Sequence, residues 1–87
     1  MDISIKVTYK SEGLQKLRKA AGLSQSQLAN KAGIRVQVLQ QYEQGVRDLS
    51  GAKLATLLKL CNALECRLAD IITDEETLEL LKKYEEH

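Results

Sequence analysis

Proline, phenylalanine and tryptophan are all missing from this 87-residue chain, and its aromatic content is three tyrosines. Without Phe or Trp the core must rest on Leu, Ile, Val and Ala. Without proline, and with only five glycines as punctuation, the sequence predicts an ordered, mostly helical globule. No apolar run approaches the roughly 20 residues that a bilayer span needs. The amino terminus shows no basic-then-apolar signal pattern. These absences predict a cytoplasmic protein with no membrane partner. The single histidine, His87, sits at the terminus, so no Ser–His–Asp set can be built around it in a fixed frame. No phosphate-binding glycine loop, metal cluster or paired carboxylates stand out, which predicts a non-enzyme with no cofactor and no metal. Cys61 and Cys66 have no nearby His and are too few for a structural zinc site. They are expected as reduced thiols filling core space, a disulfide being disfavoured in the cytoplasm.

What is present begins with a charge asymmetry hidden under a net charge of +1. Residues 1–59 carry ten basic groups against four acidic ones, a balance of +6. Residues 60–87 carry three against eight, a balance of −5. One end of the chain is suited to phosphate and the other is repelled by it, although ordinary surface scatter can produce the same split. At this length the chain supports one small core.

Residues 2–9, DISIKVTY, alternate so that Ile3, Ile5 and Val7 share a strand face with Tyr9. A lone strand is not stable, so this extension either pairs across a dimer or is an irregular tail. A first helix is expected over about 12–21, with Ser11 as N-cap and Gly22 as terminator. Ser24 followed by Gln27 has capping-box spacing and opens a short second helix that Gly33 stops. The third helix covers about 35–44 and closes at Gly45. A fourth spans about 51–63 with Ser50 as cap, a fifth about 67–72. The last, about 74–86, has Thr73 and Glu76 at capping-box spacing and puts Leu78, Leu81 and Tyr84 at helical spacing.

The third helix is unusual in composition. Leu39 and Tyr42 fall on one side, and Gln37, Gln41 and Gln44 on the other, with Gln40 beside them. A generic solvent face draws on Lys and Glu, which are good helix formers and solubilise well. Amides instead suggest hydrogen bonding to a patterned partner.

At this point LRKAAGLSQSQLANKAGIRVQVLQQYEQG resembles the helix-turn-helix of the phage repressor and Cro-type family, also called the xenobiotic-response-element family. Leu17, Arg18, Leu23, Ser24, Gln25, Leu28, Ala29, Gly33, Ile34, Leu39, Glu43 and Gly45 carry the match. LATLLKLCNALECRLADII is similar to the last two helices of the family domain, so the resemblance runs over about residues 12–72. It implies an all-α class: a compact five-helix repressor-like DNA-binding domain over 11–72, with the helix-turn-helix at about 24–44. The extended segment 1–10 precedes it, and an acidic amphipathic helix over 73–87 follows.

The resemblance also implies roles. Positions matching Val36, Gln37 and Gln41 commonly reach base edges, where Gln can pair with adenine and Val can pack on a thymine methyl. Gln25 would touch phosphate from the start of the second helix. Arg18, Lys31, Arg35, Gln40, Gln44 and Arg47 would be further phosphate contacts, adding affinity without sequence information. Glu43 would be structural, because a carboxylate facing DNA is unfavourable unless paired. Two residues depart from the family pattern. Arg35 and Arg67 stand where Ser or Thr usually caps the third and fifth helices, a loss of about 1 kcal/mol each.

A single such unit specifies a site poorly, so a homodimer on a palindromic double-stranded operator is expected, with half-sites about one helical turn apart. Ile3, Ile5, Val7, Leu78, Leu81 and Tyr84 are the candidate dimer contacts; Tyr84 can equally pack onto its own domain. The resulting expectation is a small dimeric transcriptional regulator acting as a repressor. Two alternatives stand beside it: an antitoxin that binds a toxin through its acidic last helix while repressing its own promoter, and a protein-interaction module without DNA binding.

Overall fold

The computed structural model describes residues 12–86. Six α-helices and one 3₁₀ turn follow one another: α1 Glu12–Ala20, α2 Gln25–Ala32, α3 Val36–Glu43, the 3₁₀ turn Leu49–Gly51, α4 Leu54–Leu64, α5 Leu68–Ile71 and α6 Glu75–Glu85. Among the described residues the class is all-helical, as the sequence predicts. The expected strand over 2–9, its Ile3, Ile5 and Val7, the Ser11 cap and His87 lie outside the described residues.

The core takes one fully buried aliphatic side chain from each of the first six elements: Leu14, Leu28, Leu39, Leu49, Leu60 and Ile71. Each such burial is worth about 1.5–3 kcal/mol, which a domain without large aromatics needs from every element. α2 occupies the centre, packing on both α3 and α4. Its alanines allow this: Ala29 and Ala32 are buried, and their small side chains let neighbouring backbones approach. With two turns, α2 is too short to persist alone. It is held at both ends by local chemistry. The Ser24 hydroxyl accepts from the Gln27 N–H at 3.1 Å while the Gln27 side chain accepts from the Ser24 N–H at 2.8 Å. At the other end Gly33 adopts φ 73°, a left-handed geometry that glycine reaches without steric cost. The Ile34 N–H then bonds back to the Ala29 carbonyl at 2.9 Å, which turns the chain sharply into α3.

Several caps differ from the sequence-based expectation. α4 begins at Leu54, not near 51, because the Asp48 carboxylate accepts from the Ser50 N–H and winds Leu49–Gly51 into the 3₁₀ turn first. Ser50 caps no helix of its own. Its hydroxyl accepts from the backbone N–H groups of Thr73 and Asp74, at 3.2 and 3.4 Å, tying the approach to α6 onto the body. α6 is capped by Asp74 rather than Thr73, because the Asp74 carboxylate takes both the N–H and the hydroxyl of Thr77. That pairing holds the Asp74 carboxyl below its ordinary range. The missing cap at Arg67 is partly replaced: the Asp70 carboxylate accepts from the Arg67 N–H at 2.9 Å. Nothing replaces a side-chain cap at Arg35.

Glu65 ends α4 at φ 54°, the one non-glycine residue with positive φ among those described. The reversal there returns the Cys66 N–H to the Cys61 carbonyl at 3.0 Å. Both thiols are free; Cys61 is buried and Cys66 half-buried. Burial pushes the Cys61 thiol up to about 12, with Cys66 adding to the effect, so it packs as a neutral side chain. α6 buries no residue completely.

Candidate nucleic-acid interface

Three residues from three helices meet where α1, α2 and α3 converge. The Arg18 guanidinium donates to both carboxylate oxygens of Glu43, Nε to Oε2 at 2.7 Å and Nη2 to Oε1 at 3.0 Å. Its Nη1 donates to the Leu23 carbonyl at 2.9 Å. The Arg18 side chain is 10% exposed and that of Glu43 2%. The hydrogen bond to Glu43 raises the Arg18 pKa, and although burial works against it, the group stays charged. Gln25 joins the cluster by donating from Nε2 to Glu43 Oε1 at 3.1 Å, and its own Oε1 accepts from Gln40 Nε2 at 3.4 Å.

The sequence places Arg18 with the phosphate contacts, but its fork is turned inward and engaged by Glu43 and Leu23. It braces α1 and the turn before α2 against the end of α3. Glu43 is structural, as its sign requires. Gln25 and Gln40 are half-buried, and each already bonds within the cluster, linking α2 to α3.

The outer surface of α3 carries the remaining candidates. Gln37 is exposed, and among the described residues its amide has no partner. Val36 is half-buried, packed in part on the core. Gln41 is half-buried, and its Oε1 accepts from Arg47 Nε. Gln44, the residue that ends α3, is exposed, as are Lys31 in the last turn of α2, Arg35 before α3 and Arg47 after it. Val36, Gln37 and Gln41 therefore lie on one short helix with cations ahead of it and behind it.

Lys53 is not among the residues the resemblance points to. It is exposed, directly precedes α4, and lines with Arg47 an open cleft of about 620 Å³ between α3 and the start of α4. Lys53, the N-cap residue of α4, makes no side-chain cap hydrogen bond there. The signal available in the sequence was a basic residue just ahead of an apolar helix.

The candidate dimer contacts divide. Leu78 and Leu81 are half-buried, whereas Tyr84 is 76% exposed. Leu80, four residues before Tyr84, is 59% exposed, so the outward apolar pair on α6 is Leu80 with Tyr84.

A family model described as helix-turn-helix matches residues 14–71. No curated protein matches the chain. Among solved structures, the chain is similar to the restriction-modification controller protein C.AhdI from Aeromonas hydrophila, with 34% identity and a TM-score of 0.61. The similarity covers 68% of this chain and 85% of that one.

Proposed function

This chain belongs to the helix-turn-helix family of the repressor and Cro type, as a DNA-binding transcription regulator, and from that premise we propose that it is a repressor. It binds a palindromic double-stranded operator as a homodimer and acts by occupying the site. The observation that carries this reading is the contrast along α3. Its inner residues, Leu39 and Tyr42, are buried, and its outer face holds an amide, Gln37, that has no partner among the described residues and lies between exposed cations.

In this reading α3 enters the major groove. Gln37 and Gln41 read base edges, and Val36 offers its remaining exposed surface to a thymine methyl. Lys31, Arg35, Gln44 and Arg47 contact phosphate, joined by Lys53 and the amino end of α4. Gln25 and Gln40 act at the margin of that surface, each with one amide end held in the Glu43 cluster. Arg18 stands behind the interface rather than in it. The acidic α6 stays away from DNA, and its Leu80–Tyr84 pair supports a subunit contact.

The restriction-modification controller among solved structures supports the same reading, since 85% of its length is covered by this chain. No observation in the fold favours a toxin partner or a module without DNA binding. The family and its neighbour point to a regulator rather than to a catalyst.

The test is selection of duplexes from a randomised pool, followed by affinity at several salt concentrations. The expected result is an enriched two-half motif, with log affinity falling linearly with log salt at a slope set by the phosphates engaged. Absence of salt-dependent duplex binding would overturn the reading.

A further inference from the structure

Gln37 and Gln41 have the same side chain and sit one turn apart on the same helix, but their amides are in different states. The segment after α3 closes onto Gln41 three times. The backbone N–H groups of Val46 and Arg47 both donate to the Gln41 carbonyl, at 2.9 and 3.1 Å. The Arg47 side chain then donates from Nε to Gln41 Oε1. Arg47 is therefore anchored by its own backbone to the residue whose side chain it holds.

This contact fixes which way the Gln41 amide faces. A guanidinium has donors and no acceptor, so only the amide oxygen can face it. A flipped amide would set N–H against N–H. Nε2, with its two donors, is the end of Gln41 left wholly free for a partner, whereas one of the two lone pairs of Oε1 is taken by Arg47. Among the described residues nothing engages the Gln37 amide, which keeps both its acceptor and its donors.

We propose that Arg47 is a positioning residue for sequence readout, holding Gln41 with its donors toward guanine while Gln37 reads adenine. The chemistry follows from the base edges. Adenine presents one acceptor and one donor in the major groove, which an unconstrained glutamine amide matches with both its ends. Guanine presents two acceptors, N7 and O6, which match an amide nitrogen with two donors. The terminal nitrogens of Arg47 stay available to a phosphate, so one residue links backbone positioning to base choice. The inference rests on the proposed role of Gln41 as a base reader.

The experiment is duplex selection from a randomised half-site with the full-length wild type, Gln41→Ala and Arg47→Met. The base pair read by Gln41 is the one whose preference Gln41→Ala erases. Wild type is expected to prefer guanine there, and Arg47→Met to shift the preference toward adenine by roughly tenfold. Preferences at the other positions should persist in Arg47→Met, which also establishes that the variant is folded. Uniform weakening of all sequences with a flatter salt dependence, and no change in base preference, would reduce Arg47 to a phosphate contact and overturn the proposal; base reading by Gln41 would survive. A wild-type preference for adenine at that pair would also overturn it. If Gln41→Ala erases no preference at any position, base reading by Gln41 fails and the inference falls with it.

Discussion

Among the described residues two arginine–glutamate pairs are chemically alike but placed in different surroundings. Arg18–Glu43 closes at 2.7 Å with side chains 10% and 2% exposed. Arg67–Glu85 closes at 2.9 Å with side chains 74% and 42% exposed. The first joins α1 to α3 behind the proposed reading surface; the second joins the start of α5 to the end of α6. Water screens the outer pair, and holding two long side chains together offsets most of what remains. At the inner pair the desolvation is already incurred, so removing one partner strands a charge. α3 is thus tied to its support by a buried pair, whereas α6 is tied by an exposed one. A surface that must present amides in register needs the first kind of attachment.

The sharpest way to break this contrast is Arg18→Ala. It leaves the Glu43 carboxylate buried without its main partner and should destabilise the fold by about 3–5 kcal/mol, read by thermal or urea unfolding without DNA. A direct phosphate contact would instead leave the free protein's stability unchanged and flatten the salt dependence of binding. Gln37→Ala comes next. Affinity for the preferred site should fall by about 1–3 kcal/mol and specificity relax at one base pair, while the melting temperature holds. Glu65→Gly should raise stability by about 1 kcal/mol, since a side chain at φ 54° carries a steric penalty that glycine avoids; the same unfolding curves measure it. Arg67→Ala should have the smallest effect, below about 1 kcal/mol, shrinking further as salt is added. An equal loss from Arg67→Ala and Arg18→Ala would erase the difference between the two pairs.

Much of the helix-turn-helix was legible in the sequence because its signals are local. Ser24 and Gln27 lie one turn apart, Gly33 marks the stop, and the apolar spacing of Leu28 and Leu39 gives the inward faces. The state of Arg18 was not legible. An arginine on a short helix reads as a surface cation until the fold brings Glu43, 25 positions later, against it. The same limit applies to Gln41: its helical face followed from spacing, but its bond to Arg47 depends on how the chain turns after Gly45. Cap positions slipped for a related reason. Ser50 and Asp48 both suit a cap, and the 3₁₀ turn selects Asp48, freeing the Ser50 hydroxyl to tie down the chain before α6. On α6, the spacing of Leu78, Leu81 and Tyr84 suggested one face, and Leu80 went unnoticed because its exposure depends on which side rests against the body.

The measurement closest to the central claim is an NMR titration of the free protein with its selected duplex, following backbone and glutamine side-chain amides. The largest changes are expected in α3, in Arg35 and Arg47 on either side of it, and at Lys53, with the Gln37 side-chain amide among the most shifted and α6 nearly still. Changes centred on α6, with the Gln37 amide unmoved, would contradict the account.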